Sequence, residues 1–301
     1  MQQTRRFFIF AGMALAALGF AAAAQQPAKT KVIGFMTDFD VKDDAVGICK
    51  AVMIGIAPDA RILDITHQSE PFNIEMGARF LSGSAPYFPK DAVFVVVIDP
   101  GVGSTRKAII ARSKVGQTFV LPDNGLLTMI QNYDEIVEAR EITNPAWMIG
   151  SGISSTFHGR DIFSPAGAHA ARGEDIAQAG PALDVNKLVH LNIKNATLEQ
   201  DGAHAEILGT DGPFGNLVSD VYAITFKALG YKVGDQVPIY LAGQRYEFPF
   251  VKTFSDVPVG KPLLYIDSRG RLGISINQRN FSETYKVGEG AELRIPRKGG
   301  N

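Results

Sequence analysis

The chain has 301 residues, of which 46% are hydrophobic and 20% charged, a balance that excludes a disordered or collagen-like chain and leaves room for two domains. Thirty Lys+Arg against 31 Asp+Glu give a net charge of −1, so the basic excess usual for nucleic-acid binding is absent. The single cysteine, Cys49, excludes an intrachain disulfide framework and a multi-cysteine metal cluster.

The first 24 residues are predicted to be a signal peptide. Arg5 and Arg6 precede an uncharged, alanine-rich run over residues 7–24, which ends in small residues suited to cleavage after Ala24. Removal takes two positive charges and no acids, so the net charge falls from −1 to −3. The sequence TRRFF at residues 4–8 resembles a twin-arginine export motif, and Sec export stays open. We therefore expect a periplasmic or secreted protein without a stable membrane anchor, although an uncleaved anchor is the alternative.

Residues 31–185 are predicted to form an α/β N-terminal domain with a mainly parallel sheet. Continuous apolar runs at residues 32–36 and 93–98 are typical of strands covered on both faces. Apolar residues at helical spacing over 45–56, and again over 74–81, lie between those strands. Alternation of this kind favours an α/β fold.

Residues 193–298 are predicted to form a smaller, all-β, barrel-like C-terminal domain, after a connector over 181–192. Short runs separated by glycines are typical of this class. The predicted strands cover residues 205–208, 218–225, 237–241, 262–266, 272–276 and 293–295.

An aspartate-rich segment follows the first predicted strand directly. Because ligands bind beyond the carboxyl ends of strands in α/β sheets, Asp38 is predicted to bind a ligand there, where a carboxylate can accept hydrogen bonds from hydroxyls such as those of a ribose; helix capping is the alternative role. Asp44 is expected to cap the next helix. The aspartate spacing fits no EF-hand loop, so no metal is predicted.

Two further motifs carry candidate chemistry. Asp99 and Arg106 bracket a glycine-rich loop after the most apolar strand, where they either serve a ligand or simply pair with each other. His158 lies between Phe157 and Gly159, just before a predicted helix, a position suited to proton chemistry. A structural role is the alternative for this histidine.

These motifs together resemble the S-adenosyl-L-methionine (SAM) hydroxide adenosyltransferases, the adenosine-forming SAM hydrolases that are related to fluorinase and chlorinase. The resemblance extends from residue 31 to residue 297. It depends on TDF at 37–39, DPGVG at 99–103 with Arg106, PDNGLL at 122–127, FHGRDIF at 157–163, DGPFGN at 211–216 and SRG at 268–270. The family implies an α/β domain followed by a barrel-like domain. It also implies a homotrimer in which each site lies between the N-terminal domain of one subunit and the C-terminal domain of its neighbour.

By resemblance, the catalytic residues are Asp99, Arg106 and His158, and Asp38 binds the ribose. The other implied substrate contacts are Phe72 over the sugar, Asp43 at the methionine amine, Asp211, Phe214 and Asn216 at the methionine and adenine ends, and Ser268 and Arg269 at the methionine carboxylate. Two positions depart from the family: Asp40 stands where glycine is usual, and Ala45 replaces a polar or aromatic residue.

The implied reaction is hydrolysis of SAM to adenosine and L-methionine by an activated water that attacks ribose C5′. SAM is the substrate, and neither a cofactor nor a metal is expected. Asp99 and His158 both stay open as the base. A halide site is disfavoured because Asp99 places a carboxylate where the anion would bind. The competing hypothesis is an exported protein that binds an adenosine-like nucleoside without catalysis.

Overall fold

A computed structural model describes residues 31–150 and 152–299. The predicted signal peptide lies outside these described residues. Within them, no helix is both long enough and apolar enough to cross a membrane.

The N-terminal domain is built on a six-stranded mixed sheet with strand order β2-β1-β3-β5-β4-β6. The β1–β2, β1–β3 and β3–β5 pairs are parallel, whereas β4 is antiparallel to both β5 and β6. The predicted α/β domain with a mainly parallel sheet is thus confirmed. The strands and helices are β1 (Val32–Thr37), α1 (Ala45–Ile56), β2 (Arg61–Thr66), α2 (Ile74–Ser84), β3 (Val93–Val97), β4 (Ala108–Ser113), β5 (Thr118–Pro122), β6 (Ile136–Glu141) and α3 (Ser164–Ala171).

Burial on both faces explains the most apolar strand of this sheet. Every residue of β3 is buried, and its side chains alternate between two hydrophobic clusters. Helices α1 and α3 contribute Cys49 and Ala166 to one cluster, and α2 contributes Leu81 to the other. The continuous apolar run is therefore the pattern expected of a strand covered by helices on each side.

The C-terminal domain is an antiparallel sheet with strand order β11-β10-β14-β8-β9-β13-β12, and β7 also pairs with β8. A bridge between Phe250 and Leu264 brings the two ends of this order together, so the sheet approaches a closed barrel, as predicted. The elements are β7 (Thr197–Leu198), β8 (Gly202–Asp211), β9 (Asn216–Tyr222), α4 (Ala223–Ala228), β10 (Gln236–Leu241), β11 (Gln244–Pro249), β12 (Pro262–Ile266), β13 (Arg271–Ile276), α5 (Phe281–Tyr285) and β14 (Glu292–Pro296).

Several details of this domain differ from the sequence prediction, among them the end of β9 and the presence of β11. The strand predicted over 218–225 ends at Tyr222, and helix α4 begins at Ala223. A short apolar run does not by itself distinguish a strand from a helix. Strand β11 was missed because charged residues interrupt it, although Phe248 still points into the core.

Candidate active site

A cavity of about 230 Å³ lies at the carboxyl-end edge of the N-terminal sheet. Because β1 and β3 are adjacent and parallel, the residues that follow them meet at the same edge. Asp38 directly follows β1, and Asp99 lies two residues beyond β3. The cavity is lined by Asp38, Phe39, Pro71, Phe72, Val97, Asp99, Val102, Thr156, Phe157, His158 and Gly159. The structure thus brings Asp38, Phe72, Asp99 and His158 together.

Arg106 joins the two predicted proton-handling residues. Its Nε donates to both carboxylate oxygens of Asp99, at 2.9 and 3.0 Å, and its Nη2 also donates to Oδ2. The same Nη2 lies 2.6 Å from Nδ1 of His158. The Asp99 and Arg106 side chains are only 5% and 10% exposed. The guanidinium also lies over the Phe163 ring, 5.2 Å from its centroid. Asp99, Arg106 and His158 therefore form one connected, largely buried group.

The protonation of His158 follows from its partner. A guanidinium has donors only, so Nδ1 of His158 must be the acceptor and the neutral ring carries its proton on Nε2. Burial lowers the pKa of His158 below its usual 6.5, and the charge of Arg106 lowers it further. No described residue bonds to Nε2. His158 is therefore a neutral hydrogen-bond donor at the cavity.

Glycines allow the loops of this site to approach closely. Gly103 has φ +76°, and a Cβ there would collide with the carbonyl oxygen of Ser155, in the loop that leads to His158. A Cβ on Gly159 would lie 2.9 Å from Cζ of Phe39. One turn of π-helix, Gly159–Phe163, follows His158, a local geometry often found at functional sites.

Asp38 also lines this cavity and contacts the backbone of Phe72. Its Oδ2 accepts a hydrogen bond of 2.9 Å from the backbone N–H of Phe72. Burial raises the pKa of Asp38, and the charge of Asp99 adds to that increase. The Phe72 side chain is 70% exposed and its φ is +68°, a conformation rare for a bulky residue. An exposed aromatic ring is thus held at the cavity mouth by the predicted ribose ligand.

The turn that contains Asp40 has a backbone conformation that usually favours glycine. Asp40 takes the left-handed conformation, with φ +62°. Its Oδ1 accepts a hydrogen bond of 2.7 Å from the backbone N–H of Val41 and another of 3.1 Å from Gln68, and Lys42 lies 2.8 Å from Oδ2. Aspartate tolerates this conformation when such local hydrogen bonds form, which explains the substitution.

The C-terminal residues of the predicted site line a different cavity, of about 770 Å³. Asp211, Phe214 and Asn216 lie there, on the β8–β9 turn. The Phe214 ring is 66% exposed. Asn216 is buried and accepts a hydrogen bond from the Ser275 hydroxyl. Phe254, Asn277 and Arg279 also line this cavity, and they were not predicted because they belong to no recognisable motif.

The remaining predicted contacts lie outside both cavities. Ser268 and Arg269 line a cleft between the two domains, where the Arg269 guanidinium lies close to Gly83 on α2. Oδ1 of Asp43 accepts a hydrogen bond of 3.0 Å from the backbone N–H of Ala45, whereas Asp44 makes no side-chain cap. Asp44 thus occupies the predicted N-cap position without the side-chain hydrogen bond expected of a cap, and the carboxylate of Asp43 accepts from the first helical N–H instead. The predicted substrate contact of Asp43 stays a prediction.

No residue lines both the N-terminal and the C-terminal cavity in the part of the chain that the structure describes. Neither do the described residues place a group of possible metal ligands at either one. Glu199, Asp201 and His204 do form such a group, but they lie on the exposed β7–β8 hairpin, where Arg294 also contacts Asp201.

Comparison with known proteins identifies the family of both domains. Residues 33–180 match the family described as SAM hydroxide adenosyltransferase N-terminal domain, and residues 205–294 match the corresponding C-terminal domain. The chain belongs to the SAM hydroxide adenosyltransferase family. Both halves of the family fold are present in the expected order.

Relatives of this adenosyltransferase-family chain have two kinds of name. It is 37% identical to the (R)-S-adenosyl-L-methionine hydrolase of Salinispora arenicola, with 89% of this chain and 98% of that protein covered. A protein of the same name from Thermus thermophilus is 33% identical over 87% of this chain and 98% of its own length. The fluorinase of Actinopolyspora mzabensis is 28% identical, with 88% and 97% covered. An uncharacterised conserved protein from Thermotoga maritima has a crystal structure that aligns with a TM-score of 0.83 at 37% identity, with 88% of this chain and all of that chain covered.

Proposed function

We propose that this protein hydrolyses SAM to adenosine and L-methionine. The observation that carries the proposal is the largely buried Asp99–Arg106–His158 group, whose Asp99 and His158 line the N-terminal cavity together with Asp38. The relatives named (R)-S-adenosyl-L-methionine hydrolase support the same activity.

The chemistry needs no proton transfer to the leaving group. Water oxygen forms a bond to ribose C5′ while the C5′–sulfur bond breaks, and its electron pair neutralises the sulfonium, so methionine leaves as a neutral thioether. The only proton that must move is one from the attacking water. The site therefore needs an acceptor for that proton and groups that hold the water in line.

The hydrogen bonds favour Asp99 as the acceptor. Nδ1 of His158 already accepts from Arg106, and its Nε2 carries a proton, so the neutral ring has no free lone pair for the water. The Asp99 carboxylate lines the cavity and accepts from Arg106 with geometry that leaves further lone pairs available. In this mechanism Asp99 takes the proton, His158 donates to the water oxygen, and Arg106 fixes both.

Charge and shape suit a cationic nucleoside. Asp38 and Asp99 share one cavity, and the pKa of Asp38 is raised mainly by burial and to a smaller extent by the charge of Asp99. A sulfonium bound nearby relieves the repulsion between the two carboxylates, because it adds a positive charge at low dielectric. Asp38 accepts from the ribose hydroxyls, and the Phe72 ring covers the sugar.

The assembly that we propose is a homotrimer with sites shared between subunits. Within one chain, the residues of the N-terminal cavity and those around Asp211 and Asn216 line separate spaces. A neighbouring subunit that places its C-terminal cavity over Asp38 would enclose the whole substrate. The exposed Phe72 and Phe214 rings are then buried on assembly, which favours association.

We also propose that residues 1–24 direct export and that the mature protein acts in the periplasm or outside the cell. The paired arginines and the alanine-rich run support this location. The proposed reaction then consumes SAM that has reached that compartment.

Incubation of the purified protein with SAM, followed by chromatography, tests the proposed activity. We expect equal amounts of adenosine and methionine from wild type and at least 100-fold less from Asp99→Asn. The names of the relatives specify the (R) configuration, so the two sulfonium epimers are assayed separately. Adenosine binding without turnover of either epimer would support the nucleoside-binding alternative instead.

A further inference from the structure

A buried histidine outside the cavity is tied to both sides of the predicted ribose ligand. His67 directly follows β2 and is 5% exposed. It lines none of the cavities described above. Its surroundings are the Thr37 hydroxyl, the Asp64 carboxylate and the edge of the Phe35 ring, whose centroid is 4.8 Å away.

The donor and acceptor roles in the hydrogen bonds around Thr37 can be assigned in one consistent way. Its Oγ1 accepts from the backbone N–H of Phe39 at 3.2 Å and lies 2.9 Å from Nδ1 of His67. The hydroxyl proton is free to bond to Nδ1, which is an acceptor when the ring proton is on Nε2. Oδ1 of Asp64 lies 3.1 Å from Nε2, which favours that tautomer electrostatically, although the angle is poor for a hydrogen bond.

The backbone of the same histidine holds the next residue of the loop. The carbonyl oxygen of His67 accepts a hydrogen bond of 2.7 Å from the N–H of Asp40. Residues 37 and 39 are thus linked to the His67 side chain through one hydroxyl, and residue 40 is linked to its main chain. Asp38 lies inside this short, doubly anchored segment.

We infer that His67 and Thr37 are positioning residues that set the orientation of Asp38 for the ribose hydroxyls. This inference deepens the proposed function and rests on it for the identity of the ligand. Neither residue touches the substrate. A carboxylate that must meet two adjacent hydroxyls depends on such support, because a small displacement loses both hydrogen bonds.

Two substitutions test the inference. Thr37→Val keeps the shape of the side chain and removes the hydroxyl, and His67→Leu removes the acceptor. We expect each to raise the KM for SAM about tenfold, the effect of one lost buried hydrogen bond, and to change kcat by less than about threefold. Thr37→Ser and His67→Asn keep the hydroxyl and an acceptor near the Nδ1 position, so each should recover most of the lost affinity.

A matched control separates positioning from general stability. His169 lies in the same domain, is partly buried and bonds to Glu174 at 2.9 Å, away from the cavity. His169→Leu should lower the Tm without raising the KM. If His67→Leu and Thr37→Val lower the Tm but leave the KM at its wild-type value, the two residues are merely structural and the inference is wrong.

A second readout does not depend on the reaction. Amide hydrogen exchange over residues 38–41, measured without substrate, should be at least about tenfold faster in Thr37→Val and His67→Leu than in wild type and His169→Leu. Unchanged exchange would overturn the inference even in an active enzyme. Faster exchange in a protein that hydrolyses no SAM would instead uphold the anchoring of Asp38 and contradict only the proposed function.

Discussion

Arg106 donates a hydrogen bond from Nη2 to Nδ1 of His158 across 2.6 Å. An arginine in this position fixes the tautomer of the histidine, because a guanidinium cannot accept. The contact therefore distinguishes two roles for His158 that look equivalent in the sequence. It makes His158 a donor and, in the proposed mechanism, leaves Asp99 as the base.

Substitutions at position 158 distinguish a donor from a base. His158→Gln retains an N–H donor of similar reach and should lower kcat only about tenfold, whereas His158→Ala should lower it about 100-fold. Steady-state kinetics with SAM give both values. Equal losses in the two variants would contradict the donor role.

Removal of the base should affect turnover more than binding. Asp99→Asn keeps the shape of the side chain and removes its charge and basicity, so we expect kcat to fall by about 10²-fold or more with a nearly unchanged KM. Isothermal titration with adenosine provides the control for binding. Near-normal turnover in this variant would exclude Asp99 as the proton acceptor.

The acid limit of activity should lie below pH 6.5. Burial and Arg106 lower the pKa of His158, so the ring stays neutral down to a lower pH than a free histidine and becomes protonated only below it. Protonation places a proton on Nδ1 and breaks the bond from Arg106. A kcat profile measured from about pH 5 to 8 shows the limit. In His158→Gln this component of the acid limb should disappear, and its persistence would assign the limb to another group.

Asp38→Asn should stabilise the folded protein and weaken the binding of SAM. The folded-state pKa of Asp38 is raised, so ionisation destabilises the folded protein as the pH rises through that value. The asparagine carries no charge and still accepts from the Phe72 N–H through its oxygen. We expect the Tm at pH 7 to rise by about 2 °C and the KM for SAM to rise about tenfold, measured by calorimetry and kinetics. A lower Tm would show that the ionised carboxylate stabilises the fold.

Sites shared between subunits should be restored by mixing two inactive variants. Asp99→Asn damages the N-terminal half of a site, and a double substitution of Asp211 and Asn216 by alanine damages the C-terminal half. Co-expression should restore about a quarter of the wild-type activity, because random mixed trimers pair intact halves in one site of four. Light scattering should give three times the mass of one chain. An active monomer, or no restoration in mixed oligomers, would exclude the shared site.

Export should remove the first 24 residues. Intact-mass analysis of the protein from the periplasmic or secreted fraction should show a chain that begins at Gln25. Replacement of Arg5 and Arg6 by lysine distinguishes the routes, because twin-arginine export should fail and Sec export should continue. A full-length product in the membrane fraction would show an uncleaved anchor.

Local patterns in the sequence were sufficient to predict the fold class of both domains. Burial is visible directly in the sequence, because residues that face a core are apolar. The run VFVVV of β3 and the helical spacing from Ala45 to Ile56 are two examples. The ends of strands and helices were predicted less accurately than their existence, since β9 ends at Tyr222 and not at residue 225. A short apolar run does not show at which residue its strand ends.

The sequence was sufficient to nominate the candidate site residues, whereas only the tertiary structure showed which of them contact one another and in which direction their hydrogen bonds run. Asp38 and Asp99 could be predicted at one edge because parallel strands end together. The proton on His158 and the link from His67 to Thr37 depend on hydrogen bonds with defined directions between segments far apart in the chain. Only the tertiary structure shows that Asp211 and Asn216 line a different cavity from Asp99. The position of one domain relative to another produces no periodic pattern in a single sequence, so it could not be predicted.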